Sequence, residues 1–289
     1  MALSNPALNQ QKFQAAIDEE QAGQSGQAGW AAPAGTAAGA ADSTTLRPPS
    51  GTVTGKVMTY GGTFSATLVL FVLLLGGAWV GWQSVTQTPG VTNAAGQTTY
   101  SVNAPGWLFI VAIAALGFAI VTIFKPRIAM FTGPIYAMLE GAVLGAISAM
   151  YNAQFNGIVL QAVLATLSVF AVMLFLYATR LIRVTKRFRM IIIGAMLGIM
   201  VMYLLSFVAS LFGASVPFLN QPTPMGIGIS VLIVGVASFN LMLNFDLIES
   251  GVVAKAPRYM EWYGAFGLMI ALVWLYLEIL RLLSLLNRR

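Results

Sequence analysis

All the acidic chemistry of this 289-residue chain rests on nine carboxylates, unevenly placed. Asp18, Glu19, Glu20 and Asp42 lie in an Ala/Gly/Gln-rich leading segment, and Glu140, Asp246, Glu249, Glu261 and Glu278 lie in or beside long apolar runs. A charge at the centre of a bilayer costs about 2.5–3.5 kcal/mol on insertion scales. Glu140, within "YAMLEGAVLGA", and Glu278, within "WLYLEILRLLSLL", therefore call for a partner, for water or for a bound proton. For Glu140 the alternatives are a place facing the bundle interior and a protonated carboxyl that donates one hydrogen bond to a neighbouring helix. Arg281 follows Glu278 by three residues and so shares its helical side, which makes a local ion pair a sufficient account of both. Asp246, within "NFDLIESG", stands at the end of an apolar run, Glu249 reads as a helix-end or loop charge, and Glu261 reads as a solvated charge in a basic loop. Two acids could activate water, but the Gly-x-Gly-Asp of intramembrane aspartyl proteases is missing, which argues against an enzyme.

The chain has no Cys and no His. Disulfides, thiol nucleophiles and imidazole metal sites are thereby excluded, and no cofactor is expected. It is 58% hydrophobic and only 8% charged, with a mean hydropathy of +0.80. Soluble domains carry about a quarter charged residues, so the composition is that of a polytopic membrane protein with lipid as its solvent. The net charge of +6 is spread over short loops between apolar runs, not gathered into a nucleic-acid footprint.

These acids must be positioned by helices. Runs at about Phe64–Trp82, Trp107–Phe124, Met130–Met150, Ile158–Tyr177, Met190–Phe212, Met225–Phe245 and Tyr263–Leu286 each reach spanning length. The expected fold is all-α, with seven transmembrane helices in a single bundle over residues 56–289. Residues 1–55 are too poor in apolar side chains to offset their ordering entropy and read as a disordered cytoplasmic tail without a secretory-signal pattern. Lys and Arg fall in alternate loops, including Arg180, Arg183, Lys186, Arg187 and Arg189, while the other loops carry no charge. The positive-inside rule then places the N-terminus in the cytoplasm of a cell (plasma or inner) membrane. Arg288 and Arg289 emerge on the opposite side, so packing must hold the last helix across. Gly133, Ala137, Gly141, Gly145 and Ala149 recur every fourth residue as a ridge for close helix approach, and Gly194 and Gly198 repeat the device.

"YAMLEGAVLGA", "NFDLIESG" and "WLYLEILRLLSLL", in that order over residues 56–289, resemble the Bax inhibitor (transmembrane BAX inhibitor motif) family, in its bacterial YccA-like branch. The resemblance implies that Asp246 and Glu278 form a carboxylate pair closing a central pore. Sharing a proton would hold the pair together and deprotonation would drive it apart, giving a pH-sensitive latch on a passive calcium leak. It implies Asp246 and Glu278 as hard oxygen ligands for transported Ca²⁺, Glu140 as a further buried acid, and Arg288, beside Arg281, as a possible ion-pair partner of Glu278. Other readings are a proton-coupled cation transporter and a non-transporting regulator of a membrane partner such as a protease. Geometry makes one demand on the pair. Glu278 lies about 22 Å along an ideal helix from Tyr263, so the acids meet only if that helix starts in the cytosol or the end of the sixth is drawn inward.

Overall fold

The structure, a computed structural model, describes residues 57–92, 98–103, 105–212 and 222–288. The reading of residues 1–55 as a disordered tail lies outside these residues. Seven helices are long and apolar enough to cross a membrane. They are α1 (Tyr60–Ser84), α2 (Trp107–Phe124), α3 (Ala129–Gln154), α4 (Ile158–Ala178), α5 (Lys186–Leu211), α6 (Pro224–Val253) and α7 (Met260–Asn287). A helix satisfies every interior backbone donor and acceptor within itself, as hydrocarbon requires. Three N-termini are closed by hydroxyls, with Thr59 accepting from the Gly62 amide, Thr185 from Phe188 and Thr223 from Gly226.

Several helices outrun their apolar runs. The sixth run ends at Phe245, yet α6 continues to Val253 and takes Asp246 and Glu249 into the helix. Their side chains have partners on neighbouring helices, so the polar residues do not end it. Likewise α7 begins at Met260, with Glu261 in its first turn. The charge-free segment after α1 also holds structure, though it contains no apolar run. Strands β1 (Thr86–Thr92) and β2 (Thr98–Asn103) pair antiparallel, with Thr86 opposite Asn103.

Glycine sets the closest helix contact. A Cβ at Gly141 would strike the carbonyl of Leu74 and one at Gly145 that of Ala78; reciprocally, Gly77 and Gly81 lie against the carbonyls of Met138 and Ala142. Positions in α1 and α3 rise together, so these helices are parallel, as the first and third crossings of an alternating chain must be. The expected α3 ridge is thus in use. The repeat at Gly194 and Gly198 is not, because nothing lies within 4 Å of where either Cβ would be.

Buried most deeply is α7, with 61% of its apolar stretch buried against 11% for α5. It packs on α1, α3, α4 and α6, while α5 leans chiefly on α6. The start of α1 meets the α6–α7 connection, where the Met58 amide donates to the Ala256 carbonyl at 2.7 Å. At the other end of α7 the Arg288 guanidinium stands 5.8 Å from the Phe155 ring centroid, in the α3–α4 turn. The last helix therefore runs the full depth of the bundle, held by packing.

Candidate functional site

Near the basic end, α6 presents two carboxylates one turn apart. Asp246 Oδ2 accepts from Arg189 Nη2 of α5 at 2.5 Å, and both side chains are about three-quarters buried. Glu249 Oε1 accepts from Arg180 Nη2 at 2.8 Å, and its Oε2 accepts from the Tyr177 hydroxyl of α4. Arg180 holds a left-handed backbone (φ 55°) just after α4 ends. The end of α4 and the start of α5 are thus both tied to α6 by charge-assisted hydrogen bonds.

A second assembly lies further in. Glu278 Oε1 accepts from the Tyr203 hydroxyl of α5 at 2.6 Å and from Trp274 Nε1 at 3.3 Å. Arg281 Nη1 lies 3.5 Å from Glu278 Oε2 and donates to the Tyr203 hydroxyl. The guanidinium also faces the Tyr203 ring, 5.4 Å from its centroid, a cation–π arrangement. Glu278 Oε2, Arg281 Nε and Arg281 Nη2 are buried without a hydrogen-bond partner, as are Ser230 Oγ, Asn240 Oδ1 and Asn244 Oδ1 on α6. Two residues after Trp274, Tyr276 shares a 2.6 Å hydrogen bond with Ser148 of α3.

The carboxylate pair implied by the resemblance is not formed. Asp246 lies seven residues before the end of α6 and Glu278 eighteen residues into α7. At 1.5 Å per residue these are depths of about 10 and about 27 Å from the shared connection. The reason is geometric: α7 starts directly at that connection and carries Glu278 into the far half. Each acid has its own cation, Arg189 for Asp246 and Arg281 for Glu278. The two do not converge as Ca²⁺ ligands either, and among the described residues no group of three or more acids comes together. A Ca²⁺ ion takes six to eight oxygens, which neither acid provides alone.

The local Glu278–Arg281 pair read from spacing is present. Arg288 does not join it, because its guanidinium is spent on Phe155. Glu140 is half-buried in the middle of α3 without a hydrogen-bond or ion-pair partner among the described residues.

Glu261 is not solvated. It is 5% exposed and accepts from the Thr59 amide at 2.9 Å and the Thr59 hydroxyl at 2.8 Å, with Arg258 Nε at 3.6 Å. Its carboxylate fills the space a Cβ at Gly62 would need, so an anion sits at the N-terminus of α1, where the helix dipole favours it. The Thr-x-Gly-Gly start of the first run was a signal for such an approach. Arg189 and Tyr203 were also missed. The signal for Tyr203 was a lone phenol inside an apolar run, since a buried hydroxyl seeks a partner.

Seven apolar helices with ion pairs enclosed among them define a multi-pass α-helical membrane protein. Residues 5–288 match the family described as Bax inhibitor 1 like, and the chain belongs to that family. The match begins inside the leading segment, ahead of residues 56–289 that carry the three motifs. No curated protein and no solved structure matches the chain.

Proposed function

We propose that the protein is a passive cation leak, for calcium foremost, of the YccA-like branch, with its charged end in the cytoplasm, and that two ionic clasps at different depths close it. The reading rests on one observation: Arg189–Asp246 and Arg281–Glu278–Tyr203 both join α5 to the core of the bundle. A cation moving along the seam of α5, α6 and α7 would compete with each arginine for its carboxylate. Hard oxygen donors suit Ca²⁺ in that competition.

The clasp at Asp246 gives the pH response a sign. The Arg189–Asp246 pair is intact while the acid is ionised and is lost when the acid is protonated. Flux then rises on acidification, the reverse of what a proton-sharing carboxylate pair would give. Arg180, Tyr177 and Glu249 border Asp246, and Trp274 and Tyr203 border Glu278.

The full chain in liposomes with an enclosed calcium dye tests this. Downhill flux rising as pH falls is expected, with Asp246→Asn raising flux at neutral pH and flattening the profile. Absence of flux at every pH, in protein shown to be folded, refutes the leak. Flux rising with alkali restores a shared proton, and uphill flux under an imposed proton gradient makes the protein an exchanger. A second reading, a non-transporting subunit for a membrane partner, draws on the open Gly194–Gly198 face of α5; co-purification with and without residues 1–55 tests it.

A further inference from the structure

We infer that Tyr203 is a removable wedge: its hydroxyl holds α5 on the bundle by standing between Glu278 and Arg281, which close on each other when α5 withdraws. The inference deepens the clasp reading above, but it concerns the position of α5 and is read without any ion flux, so the two can fail separately.

The argument begins with idle atoms. Nε and Nη2 form the side edge of a guanidinium, the edge that takes a carboxylate through two parallel hydrogen bonds. In Arg281 that edge is buried and has no partner, and three residues away Glu278 Oε2 is idle too. At this spacing on one helix the two side chains can meet unaided. They stand instead at 3.5 Å through Nη1 alone. The Tyr203 hydroxyl has taken the rest, donating to Glu278 Oε1 and accepting from Arg281 Nη1. A phenol has one donor to give, and here it is committed.

Two arrangements therefore compete for the same polar atoms. With α5 docked, Tyr203 bridges the pair and three atoms stay unmet. With α5 withdrawn, Glu278 and Arg281 close edge to edge and all three are met, while Tyr203 leaves with its helix. Such an exchange of partners is what makes a packed element bistable.

Burial decides which side moves. Glu278 and Arg281 belong to α7, the most buried helix, whereas α5 buries 11% of its apolar stretch. Besides Tyr203, α5 is held by Arg189 on Asp246, by Phe188 edge-on to Phe239, and by Ile199 against Ile233 and Val236. Gly194 and Gly198 add no contact.

The chain has no cysteine, so a pair introduced at Ile199 and Val236 reports docking without background. The measurement is the rate of disulfide cross-linking in the full-length protein in lipid nanodiscs. Tyr203→Phe keeps the ring and removes the bridge, and the rate is expected to fall several-fold. Glu278→Gln can still accept from Tyr203 but loses the ionic closure with Arg281, so the rate is expected to rise. A merely structural contact would loosen in both variants. Rates changing in the same direction, or an unchanged rate in Tyr203→Phe, overturn the inference. If Tyr203→Phe does not fold, Glu278→Gln decides alone, and a rate that falls or stays level overturns it.

Discussion

Where α1 meets α3, Gly77, Gly81, Gly141 and Gly145 leave room for backbone carbonyls of one helix to rest against the other. Where α5 meets α6 and α7, the contact is carried by side chains that reach out: Arg189 to Asp246, and Tyr203 to Glu278 and Arg281. Lipid supplies no hydrophobic drive for either association. The first contact draws its energy from fitted backbones, and no proton or ion can exchange into it. The second draws on polar groups that have alternative partners, so chemistry can undo it. One membrane bundle thus contains a permanent seam and a releasable one, and the residue types at each seam tell them apart.

The largest effect should come from filling the permanent seam. In Gly145→Leu the new Cβ meets the backbone of Ala78, not the end of a flexible side chain that could turn away. Overpacking a tight contact costs about 1–3 kcal/mol, and more where backbone must shift. The upper end is expected here, read as a large fall in the unfolding midpoint in detergent. An unchanged midpoint would mean that α1 and α3 separate at little cost, and the contrast between the seams would collapse.

A smaller effect is expected at the releasable seam. Asp246→Asn keeps the shape and removes the charge opposite Arg189. Both side chains retain about a quarter of their exposure, so solvent screens the pair in part. A hydrogen bond to a charged group contributes about 1.5–3 kcal/mol, and the lower end of that range is expected for stability. A double-mutant cycle with Arg189→Gln should then return a clear coupling, because the two residues contact each other directly. Additive effects would show that Arg189 draws its support elsewhere and that this clasp is not one.

What the sequence made legible follows the range of the interactions. Spans announce themselves by local apolarity, and all seven are present. Glu278 and Arg281 are three residues apart, and their pairing was legible for the same reason. The partners that complete each clasp are distant in the chain, Arg189 from Asp246 by 57 residues and Tyr203 from Glu278 by 75. No periodicity connects residues so far apart. Asp246 and Glu249 broke the apolar run and so hid the last turns of α6, because their partners come from α4 and α5. The helix-rise arithmetic for Glu278 was a better guide than the implied acid pair: a helix starting at the membrane surface does carry that residue away from Asp246.

The smallest effect sharpens the comparison most, because it uses one residue type in two places. Gly194 and Gly198 show the same four-residue spacing as Gly141 and Gly145, yet nothing approaches them. Small-residue spacing in a sequence records a capacity for close approach, and only a partner backbone converts it into a contact. Glycine in a helix interior is less favourable than alanine by roughly 0.5–1 kcal/mol. With no neighbour to displace, Gly194→Ala and Gly198→Ala should each stabilise the isolated protein slightly, by a fraction of that amount, read as a small rise in the unfolding midpoint. The same exchange at Gly141 should lower it, since a Cβ there meets the Leu74 carbonyl. If the α5 alanines also lower it, that face is covered by a second copy in solution, and α5 is packed on both sides. If they raise it, lipid alone covers the face, and α5 is held to the bundle by its clasps, by Phe188 on Phe239 and by the apolar patch at Ile199.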